Sequence, residues 1–201
     1  DRSSAASDVY KRQLKAAQWQ GGHVMPTGEA LISGGYLNEL LMRLLARDDP
    51  HARLFDHYAL AVQLLAERGD VQQLILRAFE LLLLQDAGLL PDLACEGSSL
   101  APLDEGRPYV LLPESGLRPA HGDDVQHLSG AQWSALQAAL HDNDPLIAAM
   151  RACAGCQQAL QPQLRQLLHY HSGVRVFQTR QLMLDMQAIG RPRSPSESSL
   201  S

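Results

Sequence analysis

The segment Leu74–Leu93, LILRAFELLLLQDAGLLPDL, is apolar on almost every side of a helical projection, yet carries Arg77 and Glu80 in its middle. A helix that is apolar all round is stable only when other helices cover it. The stretch therefore predicts the central helix of an all-α domain, with Asp70 able to cap its start and Gly88 and Pro91 marking its end.

Working towards the N-terminus, Leu31, Tyr36, Leu37, Leu40, Leu41, Leu44 and Leu45 share one broad helical face, predicting a helix from about Ala30 to Arg47. Asp49 and Pro50 then place a capping carboxylate before a proline suited to the first helical position. Leu54, Tyr58, Ala61, Val62 and Leu65 continue at helical spacing until Gly69. Short loops between these helices favour antiparallel neighbours and a compact bundle.

Towards the C-terminus the composition turns to Gly, Pro, Ser and Asp between Glu96 and His127, where only Tyr109–Leu112 is long enough for a strand. This reads as an irregular insertion with a small hairpin. Ser129 and Gln132 form a capping box ahead of Trp133, Leu136 and Leu140. Asp144 and Pro145 restart a helical region reaching about Tyr170, with Pro162 expected to break or kink it. Thr179 can cap a short helix holding Leu182, Met183 and Met186. The implied organisation is a bundle in two parts, 30–95 and 128–189, around an insertion at 96–127, with a polar, disordered tail at 190–201.

The first 29 residues fit neither part. Residues 3–13, SSAASDVYKRQ, resemble the read-through translation of a transposase adapter, so residues 1–13 are expected to be artefactual and disordered. Residues 14–25 alternate weakly and hold Trp19, so that 14–29 reads as the last strand of a preceding domain and its linker.

Composition narrows the function. A net charge of −5 argues against a chain built mainly to wrap nucleic acid, although a local basic patch can still hold phosphate. No apolar run is long enough to span a membrane, and three cysteines are too few for a secreted disulfide framework, so a reducing cytoplasm is expected. Cys153 and Cys156 have the spacing of half a zinc site, but Cys95 stands alone and the other half is missing. His51, Asp56 and His57, and separately His169 and His171, would serve a metal-dependent helical enzyme, though neither set matches a known ligand spacing. Arg165, His169, His171, Arg175 and Arg180 make the one local basic cluster, a solvated face or a phosphate contact. Arg77 and Glu80, at i and i+3, form either a structural ion pair or the edge of a pocket that receives an acidic group.

Four segments carry a resemblance. Residues 31–45, LISGGYLNELLMRLL, resemble the start of the helical domain of the RecO family of bacterial recombination mediators. Residues 76–90, LRAFELLLLQDAGLL, are similar to the family's LRRFELxLLxxLG segment; HLSGAQWSAL at 127–136 and SGVRVFQTRQLM at 172–183 resemble two later elements, in the family's order.

The resemblance implies an N-terminal OB-fold that binds DNA, a helical bundle and a zinc-finger-like insertion. Only the OB-fold's final strand would be present, at 14–25, as in a truncated fragment. The insertion has Cys95 but no cysteine from Glu96 to Gly122, so no zinc and no other cofactor is expected. The implied role is non-enzymatic: with RecR, remodelling single-stranded DNA-binding protein so that RecA loads, and annealing strands, in the cytoplasm with nucleoid association. The acidic tail of single-stranded DNA-binding protein would dock on Arg77, Phe79, Glu80 and Leu84, while Arg165, Arg175 and Arg180 would touch DNA or phosphate. An interaction scaffold of other specificity is the remaining alternative.

Overall fold

A computed structural model describes residues 27–46, 50–173, 177 and 179. Six α-helices and a three-stranded sheet account for the regular structure among them. The helices are α1 (Glu29–Leu44), α2 (Ala52–Glu67), α3 (Gln72–Asp86), α4 (Gly130–Leu140), α5 (Pro145–Ala154) and α6 (Gln157–Ser172). The strands, β1 (Pro108–Leu112), β2 (Gly116–Pro119) and β3 (Leu128–Ser129), lie in the order β2-β1-β3, all antiparallel.

The central helix is the one expected, and its enclosure is complete. Every residue from Ile75 to Leu84 is buried, because α1, α2, α5 and α6 all pack against α3. Each leucine so enclosed contributes about 1.5–3 kcal/mol relative to exposure. Gly88 ends the helix at φ +68°, and the amides of Leu89 and Leu90 fold back onto the carbonyl of Leu84 at 2.8 and 3.1 Å.

Several boundaries differ from the sequence-based expectations. Helix α1 stops at Leu44 rather than Arg47, and Leu31 is 54% exposed rather than on the core face. Helix α2 starts at Ala52 with His51 at its N-cap, so Pro50 precedes the helix instead of opening it; Asp49 lies outside the described residues. Asp70 does not cap α3. It sits in a single 3-10 turn, Gly69–Val71, and pairs with exposed Arg68 at 3.5 Å.

The long C-terminal helix is two helices. The break falls at Gly155 and Cys156, between α5 and α6, and Pro162 is carried inside α6. A proline six positions into a helix removes only one early amide bond, whereas Gly155 sits where propensity is lowest. Pro145 opens α5 as expected, but Asp144 makes no side-chain cap bond. At α4 the capping box forms in full: the Gln132 amide donates to Ser129 Oγ at 3.2 Å, and the Ser129 amide donates to Gln132 Oε1 at 2.9 Å.

The insertion holds the expected hairpin, β1–β2, and β3, just beyond it, adds a third strand that periodicity did not reveal. Tyr109 and Leu111 point inward, and Gln163 of α6 accepts a hydrogen bond from the Leu111 amide at 2.7 Å, anchoring the sheet to the bundle. Trp133 Nε1 donates to the Tyr109 carbonyl at 3.3 Å. Two glycines permit close backbone crossings: a Cβ on Gly97 would lie 1.7 Å from the Ser115 carbonyl oxygen, and one on Gly130 2.1 Å from that of Asp104. The 14–25 strand, the 190–201 tail, and Leu182, Met183 and Met186 of the expected last helix lie outside the described residues.

Candidate functional site

The two charges of α3 meet in the middle of the bundle. Arg77 Nη2 lies 2.6 Å from Glu80 Oε1, with side chains 4% and 0% exposed. Helix α1 contributes Tyr36, whose hydroxyl donates to the same Glu80 oxygen at 2.8 Å. Arg77 Nε is buried and has no hydrogen-bond partner. Removing two charges from water costs several kcal/mol per ion, so a pair held this deep is weak evidence for stability.

Phe79 and Leu84 are also fully buried, with Phe79 packed edge-on against Tyr58 at 6.1 Å between centroids. The four residues expected at a docking pocket thus belong to one enclosed block. None of them presents its side chain to solvent in this arrangement.

One more buried ring packs beside Tyr36. Phe177, 1% exposed, meets the Tyr36 ring at 5.7 Å and an interplanar angle of 84°, and lies 5.6 Å from the His169 imidazole. Thr179 donates from both its amide and its hydroxyl to Glu39 Oε2, at 3.0 and 2.7 Å. Phe177 was not singled out in the sequence, where a lone aromatic among Arg175, Val176 and Gln178 gives no periodic signal.

Of the basic cluster, Arg165 is half-buried on α6, with its Nε enclosed and without a hydrogen-bond partner. Arg175 and Arg180 lie outside the described residues. His171 stacks edge-on with Tyr170 at 5.1 Å.

The histidines divide between different tasks. His51 Nδ1 pairs with Asp86, tying the start of α2 to the end of α3. His57 is held below its ordinary pKa, first by burial and then by Arg53, against weaker opposite effects from Asp56, Asp144 and Asp86. Among the described residues, no three His, Cys, Asp or Glu side chains group as metal ligands. Burial pushes the Cys153 thiol far up, and the Cys156 thiol up to about 11, so both are poor nucleophiles and poor ligands.

The insertion is held by charge instead. Arg118 makes a two-pronged contact to Asp124, Nη1 to Oδ2 at 2.8 Å and Nη2 to Oδ1 at 3.1 Å, and the His121 amide donates to Oδ2 at 2.7 Å. These bonds hold the Asp124 carboxyl down at about 2. Such a fork fixes loop geometry between groups that water still reaches.

A concave feature lies between the end of α1 and the start of α2. It is an apolar groove of about 480 Å³ walled by Leu41, Leu45, Pro50, Leu54, Phe55 and Tyr58. Phe55, 67% exposed, forms its rim. No helix among the described residues is long and apolar enough to cross a membrane.

Comparison with known proteins bears on this arrangement as a whole. The family profile described as "Recombination protein O C terminal" matches residues 25–178. The chain is 60% identical over 183 residues to the DNA repair protein RecO of Polaromonas naphthalenivorans, covering 90% of this chain and 74% of that one. It is 56% identical over 183 residues to the DNA repair protein RecO of Albidiferax ferrireducens, covering 90% and 73%. With that of Variovorax paradoxus the identity is 52% over 191 residues, covering 90% and 74%.

Proposed function

The chain belongs to the RecO family of DNA repair proteins, and from that premise we propose that it is a non-enzymatic recombination mediator of the cytoplasm and nucleoid. Its helical bundle docks the acidic tail of single-stranded DNA-binding protein and, together with RecR, promotes RecA loading and strand annealing. Arg77 receives the tail's carboxylates. Phe79, Glu80 and Leu84 build the apolar and charged surroundings of that arginine. Arg165, Arg175 and Arg180 contact phosphate.

The observation supporting this reading is the state of Arg77: a guanidinium deep in the bundle whose Nε has no hydrogen-bond partner. A buried donor without an acceptor costs about 1–3 kcal/mol, which an incoming carboxylate recovers. The Glu80 carboxylate fixes the fork of the guanidinium for that contact.

Fluorescence anisotropy with an acidic peptide ending in phenylalanine tests the assignment. Arg77→Ala is expected to weaken binding by more than about 1 kcal/mol, the scale of a charge-assisted hydrogen bond. The double variant Arg77→Met/Glu80→Met removes the charge without stranding Glu80, and is expected to weaken binding as much while still folding. Phe55→Asp, in the open groove, is the control. Loss of binding there, with Arg77 variants unaffected, would move the docking site to the groove.

A further inference from the structure

One long stretch of this acidic chain carries no negative charge. From Pro145 to Leu184 the sequence holds Arg151, Arg165, Arg175 and Arg180 and no aspartate or glutamate, in a chain of net charge −5. Helix α6 lies in that stretch, and on its outer side Gln158, Gln166 and Tyr170 are exposed and Arg165 is half-buried. The packing of α6 is made by Leu160, Leu164, Leu167 and Leu168, whereas Tyr170 keeps 53% of its surface in water. His171 meets the Tyr170 ring at 5.1 Å and 87°, a perpendicular contact that orients the ring and covers at most one of its faces.

We propose that Tyr170 is a stacking platform for an unpaired base of single-stranded DNA, and that it gives the α6 surface a preference for single strands over duplex. The proposal rests on the reading above, in which the chain acts on DNA and Arg165 touches its phosphates. Charge favours this occupant: a strand laid on α6 meets arginine and glutamine and no carboxylate of that helix. Geometry permits it as well. Tyr170 follows Arg165 by about 7.5 Å along the helix axis and about 140° round it, so a strand crossing the outer side of α6 obliquely meets the arginine and the ring in turn. Gln166, exposed between them, offers a carboxamide to a base edge.

The preference for single strands follows from what a ring can reach. Inside a duplex both faces of a base are covered by its neighbours, so a side chain stacks only on a base that is unpaired or splayed out. A phosphate contact such as that of Arg165 does not make this distinction, because both forms of DNA present phosphates. Arg165 therefore supplies affinity and Tyr170 supplies the discrimination.

The test is an anisotropy titration of labelled oligothymidylate, and of a duplex of the same length, against the whole chain, Tyr170→Ala, Tyr170→Phe and Arg165→Gln at several salt concentrations. Tyr170→Ala is expected to weaken single-strand binding about fivefold or more, the loss of one base–aromatic stack, with duplex binding and the salt slope unchanged. Tyr170→Phe keeps a ring and is expected to stay within about twofold of the parent. Arg165→Gln should weaken both ligands and flatten the single-strand salt slope by about 0.7. Single-strand affinity that Tyr170→Ala leaves unchanged, or a loss in Tyr170→Phe as large as in Tyr170→Ala, overturns the stacking, and the phosphate reading stands if Arg165→Gln still weakens both ligands. An equal loss on single strand and duplex in Tyr170→Ala overturns the discrimination in the same way. No binding by the parent chain, or binding that no variant alters, overturns both.

Discussion

The Tyr36 hydroxyl donates to Glu80 Oε1 at 2.8 Å, joining α1 to α3 across 44 residues at a carboxylate that water does not reach. The same oxygen holds Arg77, so the three residues share one oxygen and losing one affects the other two. Glu80→Gln strands the Arg77 charge and is expected to cost about 3–5 kcal/mol, whereas Tyr36→Phe removes the hydroxyl's bond to the carboxylate and is expected to cost about 1.5–3 kcal/mol. Urea denaturation of both variants checks the order; an equal loss would mean that the charge pair is not what the core depends on.

Gln163 links the insertion to the bundle. Its Oε1 accepts from the Leu111 amide at 2.7 Å, and its Nε2 donates to the Ala159 carbonyl at 2.9 Å. Gln163→Met keeps the volume and leaves the Leu111 amide without an acceptor, an expected loss of about 1–3 kcal/mol. Hydrogen exchange should show the Leu111 amide losing protection first, ahead of any change in α3.

Asp124 sets an acid-sensitive joint in the insertion. Its carboxyl lies at about 2, depressed from an ordinary value of 3.8 chiefly by the Arg118 hydrogen bond and then by the His121 amide. A depressed carboxyl contributes stability above its unfolded value, and that contribution is lost as pH falls through the folded one. The stability difference between the parent and Asp124→Asn should therefore be constant at neutral pH and shrink between about pH 4 and pH 2. Titration by NMR should return the Asp124 value towards 3.8 in Arg118→Ala.

The three thiols should react in a fixed order. Cys153 and Cys156 are buried and their thiols pushed up, while Cys95 is half-buried and raised less, by burial and the neighbouring Asp92 carboxylate. An aromatic disulfide reagent at neutral pH should titrate about one equivalent quickly in the folded protein and the rest only in denaturant. Fast reaction of two or more thiols would show that the α5–α6 junction opens readily.

Much of the fold was legible because its strongest signals are local. The all-round apolarity of residues 74–84, the Gly88 stop and the Ser129–Gln132 capping box each act within a turn or two of chain, and each appears where the pattern placed it. The misses involve choices made by distant partners. His51 pairs with Asp86 at the start of α2, and Pro162 sits inside an α6 that packs against α1, α3, α5 and β1. Strand β3 has two residues, Leu128 and Ser129, too few for alternation to register.

The site was legible in its charges and not in its burial. Arg77 and Glu80 stood out as the wrong residue types for a core helix, and the structure brings them together. That Tyr36 of α1 would reach the Glu80 carboxylate depends on how two helices 44 residues apart pack, which periodicity does not encode.

Ten successive enclosed residues, Ile75 to Leu84, also change how variation along α3 would look. A surface helix tested one position at a time gives alternating tolerant and intolerant sites, and its period identifies it as a helix. In α3 there is no tolerant face to alternate with. A comprehensive substitution scan would return an unbroken block of ten sensitive positions, in which a binding arginine and a packing leucine are equally costly to replace. Separating the two requires a measurement of partner affinity, since loss of viability would mark every residue of the helix alike.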